Sequence, residues 1–194
     1  MKPNLFLLLV FLFSFYNCLA QTNDTAALRL NNYRDKVFSV FIKCNSQGDE
    51  VSKAIKTKNV NDIEAGRVAL LQCADDGMKQ LITIPDFNKD PALKFSCSDV
   101  LKFYKQLAQW DIPQLKDFFI LEEKFLRIKN EFEKKPARKH SQSAVDDYNS
   151  EVKKYNEAIP RYTQLISFIT NSRKLTLYNW NASVKIFMDA HKPS

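Results

Sequence analysis

Two stretches, FFILEEKFLRIKNEF from Phe118 to Phe132 and VDDYNSEVKKYNEAIPRYTQLISFI from Val145 to Ile169, decide how this chain folds. In the first, Phe118, Leu121, Phe125, Ile128 and Phe132 alternate steps of three and four residues. In the second, Val145, Tyr148, Val152, Tyr155, Ile159, Tyr162, Ile166 and Ile169 keep the same rhythm. That spacing lays each set along one stripe of a helix, and two such stripes meet in a helical hairpin packed nearly side by side. Between them, Pro136 stops the first helix and Ser141 or Ser143 opens the second. A turn centred between residues 138 and 139 sets Phe132 against Val145, Phe125 against Val152 and Phe118 against Ile159. Ile128–Tyr148 and Leu121–Tyr155 fill the layers between.

The same rhythm recurs upstream. Leu30, Tyr33, Val37, Val40 and Cys44 carry it, as do Ile63, Leu70, Cys73 and Leu81, and then Leu93, Cys97, Val100, Tyr104 and Leu107. These stripes are core positions, with no cofactor implied by their aromatics. Asn61 followed by Glu64 reads as a capping box opening the second helix, and Asp90–Pro91 as the start of the third. Helices are therefore expected at 24–57, 61–84, 91–135 and 143–172, with a last piece near 175–190, either separate from the fourth or continuous with it. Only three glycines occur, too few for the turns of a sandwich, a barrel or a doubly wound sheet. The fold class is all-α: an antiparallel, four-helix-type bundle with one long, kinked hairpin.

The kinks come from Pro113 and Pro160, each of which deletes a helical hydrogen bond. Hairpin pairing brings them to nearly the same height. Segment 114–159 then either projects as a two-helix arm or is covered by the first helix, and the sequence leaves both open.

Residues 1–20 read as a secretory leader. Lys2 supplies the positive start, Leu5 to Tyr16 the apolar run, and Ala20 a small residue before Gln21. The run is too short to span a bilayer, so 21–194 is expected to be one mature domain without a transmembrane segment, secreted or periplasmic. Cys18 offers a competing reading as a lipoprotein anchor, disfavoured because Asn17 and bulky Tyr16 precede it.

The full chain carries +7, spread along its length except at Lys134, Lys135, Arg138 and Lys139. These four residues at the hairpin turn form a candidate tip for an acidic partner or an anionic envelope polymer. Nucleic acid is not expected, since no motif for it is present. The two histidines, His140 and His191, lie in a turn and near the C-terminus, so no metal site, catalytic constellation or cofactor is read from the sequence. Export favours disulfides. Cys44 and Cys73 lie equally far from a turn at 58–59, so they are expected to pair and leave Cys97 free. The functional expectation is a non-enzymatic protein-interaction module in a bacterial envelope or outside the cell. A carrier of an apolar ligand in an aromatic-lined core, and an enzyme of unidentified type, stand as alternatives.

Overall fold

A computed structural model describes residues 4–136 and 140–193, with side chains from 25 onward. The expected leader thus lies outside the residues whose side chains are described, and Arg138 and Lys139 lie outside the description altogether. The chain is an all-α helical bundle: α1 (Asn4–Thr57), α2 (Val60–Thr83), α3 (Ala92–Gln106), a π-helical segment (Leu107–Asp111), α4 (Ile112–Glu133) and α5 (Gln142–Ala190).

The α1–α2 turn is shorter than the capping-box reading. Lys58 takes the left-handed conformation at φ 57°. Asn59, not Asn61, is the N-cap, its side chain accepting from the backbone N–H groups of Asn61 and Asp62. Asn suits that position because its short amide reaches the unsatisfied first-turn donors. Glu64, released from capping, pairs with Arg67 and Lys116 instead. At the α3 start Asp90 accepts from Ala92 N–H at 2.8 Å, as its position suggested. Ser141 caps α5 by accepting from Ala144 N–H.

Heights within the α1–α2 hairpin follow the expected turn. Gly66 sits against Val51 and Gly77 against Val40, pairs symmetric about residues 58 and 59. Helix α3 packs along both: Gly77 also meets Leu101, and the Cys97 thiol faces the Val37 carbonyl at 3.8 Å. The core is filled by Val37, Leu70, Leu93, Leu101, Tyr104 and Trp180, all at most 1% exposed.

Among the described residues there is no disulfide. Cys44, Cys73 and Cys97 are buried free thiols, which corrects the expected Cys44–Cys73 bond. Helix heights were right: burial first, then the Cys73 thiol beside it, push Cys44 far above the ordinary thiol range. A disulfide needs the sulfurs at about 2 Å with a fixed dihedral. Here the two side chains meet as packed thiols, small hydrophobes in a shared core.

Where the third helix was expected to kink at Pro113, the backbone widens instead into the π segment, and Pro113 falls in the first turn of α4. A π turn absorbs the missing donor by adding one residue to the helical repeat. Helix α5 runs through Pro160 without a break, so the expected last piece is continuous with it.

Candidate functional site

The lower half of α5 belongs to the bundle. Trp180 stacks on Phe41 at 4.7 Å and Phe187 packs on Tyr33 at 5.5 Å. Above them, Arg173 crosses from α5 to Asp49 at 2.7 Å and to Asn45, which also accepts from Tyr104 Oη at 2.8 Å. This polar knot ties α1, α3 and α5 at one level, where Gly48 lets the Tyr104 ring approach the α1 backbone.

Higher still, bundle and hairpin part. Lys58, at the α1–α2 turn, reaches Glu122 at 2.7 Å and lies over the Phe119 ring at 5.8 Å. Beyond Glu122, every hydrogen bond, ion pair and ring contact among the described residues runs within the hairpin itself. The first helix therefore ends at the base of this segment and does not cover it, which decides the question the sequence left open. Residues 123–133 of α4 stand clear by roughly 16 Å at 1.5 Å per residue.

Stacked rings fasten the arm. Phe118 lies on Tyr162 at 4.0 Å, Phe125 on Tyr155 at 4.4 Å, and Phe132 on Tyr148 at 4.3 Å with His140 on its other face at 3.8 Å. These partners differ from the expected level pairs by three residues along α5. The reason is directional: helical side chains lean toward their own N-terminus. In an antiparallel pair each Phe on α4 leans toward the base and each Tyr on α5 toward the tip, so rings meet one turn off level. Glu151 is the arm's one buried residue among those described; Lys124 and Lys154 pair with it at 3.0 and 2.9 Å and hold its carboxyl below the usual range.

At the height of the two prolines, α4 and α5 separate around an open slot of about 230 Å³. Phe118, Leu121, Ala158, Tyr162 and Leu165 form its apolar walls, and Gln114, Asp117 and Arg161 its rim. Beside it, the π segment is braced from α2: Arg67 donates to the Ala108 carbonyl, while Arg67 and Lys116 together draw the Glu64 carboxyl down to about 2. Asp111, in the same segment, is buried and its carboxyl is pushed up by that burial. Sequence reasoning placed both prolines here but not the slot, which depends on the ring offset and on Ala158 facing Phe118.

Of the expected site residues, Lys134 and Lys135 are exposed at the arm's end. Among the described residues no group of three or more His, Cys, Asp or Glu is placed to hold a metal, and no helix is long and apolar enough to cross a membrane. Comparison with protein-family models, with curated proteins and with solved structures finds no match.

Proposed function

We propose that this protein is an exported, non-enzymatic binding module whose two-helix arm docks a partner protein in the envelope or outside the cell. One observation carries the reading: among the described residues the hairpin beyond Glu122 places no fully buried apolar side chain in the bundle's core, yet stacked rings and the buried Glu151 make it a defined, self-supporting shape. An element ordered at that entropic cost without serving the fold is best explained by something that binds it. Lys134 and Lys135, with Arg138 and Lys139 close after them in sequence, make an acidic partner the favoured class. The carrier reading has less support in the bundle, whose centre is occupied by Trp180, Tyr104 and Leu101.

A photo-crosslinking residue at Leu126 on the arm should yield an adduct of defined mass in the native cell, and the same residue at Lys79 on the bundle should not. Attraction through the tip should weaken as salt shortens the ~8 Å physiological Debye length. Replacing Lys134, Lys135, Arg138 and Lys139 by Gln or Ser should then abolish the adduct without changing the helical signal. Identical adducts from both positions would refute the arm as the docking element. Export is tested separately: the mature protein should begin at Gln21.

A further inference from the structure

The slot between α4 and α5 carries a second, independent inference, which stands whether or not the arm docks a protein. Its walls are apolar, with the stacked Phe118–Tyr162 pair forming one side, and its volume suits one large apolar side chain. Its rim is more specific. Arg161 on α5 and Asp117 on α4 both line the mouth, yet no ion pair joins them. Among the described residues Asp117 has no hydrogen-bonding or ion-pair partner, and Arg161 makes one bond, donating from Nη2 to Gln114 Oε1 at 3.2 Å. Gln114 is itself anchored, its Nε2 donating to the Trp110 carbonyl of the π segment at 3.0 Å. The guanidinium is thus oriented by a side chain fixed to the backbone while its other donors stay free.

A free cation and a free carboxylate on opposite sides of an apolar slot make a three-point recognition pattern. We propose that the slot binds a free α-amino acid with a large apolar side chain. Its carboxylate pairs with Arg161, its ammonium with Asp117, and its side chain enters between Phe118, Leu121 and Ala158. A simple fatty carboxylate would meet Asp117 unfavourably, and a simple amine would meet Arg161 unfavourably, so the zwitterion is the class that satisfies both. Pro113 and Pro160 explain why the space exists. Each helix has one fewer backbone donor near this height, though α5 stays continuous through Pro160, and Ala158 supplies too little side chain to close the gap.

The test uses the mature chain, 21–194, titrated with L-phenylalanine, 3-phenylpropionate, 2-phenylethylamine and glycine, and followed by amide chemical shifts and calorimetry. L-phenylalanine should shift the amides of Leu121, Ala158 and Leu165 saturably. The two single-charge analogues should bind about tenfold more weakly, the worth of one charge-assisted hydrogen bond, and glycine should not register. Arg161→Gln should weaken L-phenylalanine about tenfold without weakening phenylethylamine. Asp117→Asn should do the converse with phenylpropionate. Both positions are exposed, so neither change threatens folding, and Ala158→Leu, which fills the slot, should remove binding altogether. Three results would each overturn the proposal: no saturable shift at those amides, equal affinity for phenylalanine and either analogue, or unchanged phenylalanine affinity in Arg161→Gln.

Discussion

The bundle and the arm are built from the same amphipathic helices, yet they are held by different forces. In the bundle, four helices close around side chains with no exposure, such as Leu70, Leu101 and Tyr104. In the arm, two helices share a single seam of half-buried rings, and among the described residues the one buried group beyond Glu122 is a carboxylate. Two helices cannot surround anything. Aromatic pairs suit such a seam because each buries a large area from one side and gains a further 0.5–1.5 kcal/mol or so from ring geometry. The arm should accordingly be the softer region, ordered by stacks and not by enclosure.

The largest contrast should appear in thiol chemistry. Cys44 and Cys97 are fully buried, and burial pushes the Cys97 thiol up to about 12. Alkylation of the native thiols therefore requires opening of the bundle and should run several orders of magnitude slower than in the unfolded chain. A Cys placed at Leu126, 46% exposed, should label at nearly the free rate. Under denaturing, non-reducing conditions a chain of residues 21–194 should titrate with all three thiols; a count of one would restore the Cys44–Cys73 bond.

Truncation should separate the regions next. Trp180→Ala removes a 1% exposed ring from the centre of the bundle and should cost about 3–5 kcal/mol, read from denaturant midpoints. Phe125→Ala removes one half-buried ring and should cost about 1–2 kcal/mol, with loss of exchange protection confined to the arm. Equal costs would mean the arm is as enclosed as the core. Between these values lies Gly48→Ala. Its new methyl would stand 2.7 Å from Tyr104 Cε1, and that ring is fully buried and tethered to Asn45. Overpacking of this kind should cost about 1–3 kcal/mol.

The smallest effects should come from the joint between the regions, where two carboxylates respond to acid with opposite sign. Glu64 is held at about 2 against an ordinary 4.5, so its stabilisation is complete above 4.5 and fades as pH falls toward 2. Its partly exposed setting limits the loss in Glu64→Gln to about 1 kcal/mol or less, smaller again in high salt. Asp111 is raised above its ordinary 3.8 by burial, so its charged form opposes folding at neutral pH and that penalty disappears below 3.8. Asp111→Asn should therefore stabilise slightly at pH 7 and do nothing at pH 3. Destabilisation at pH 7 would show that the carboxylate has a partner at the joint.

What the sequence by itself determined is everything set by spacing along one helix or across one short turn. The stripes of α1 through α5 fixed the helices, because burying an apolar face demands a period near 3.6 residues. Turns at 58–59 and 136–142 fixed which residues share a height, so Val51–Gly66, Val40–Gly77 and Cys44–Cys73 lie level as arithmetic requires. Tertiary structure alone decided the rest, since it depends on direction and on the third dimension. Side-chain lean moved the arm's ring pairs by one turn, and the contact distance between packed helices left Cys44 and Cys73 as thiols. The π segment took up the strain that Pro113 would have spent on a kink. Whether α1 covered the hairpin was settled by Lys58 meeting Glu122, a contact across 64 residues. Only then do Asp117 and Arg161, each an ordinary surface charge in the sequence, come to face one slot without touching.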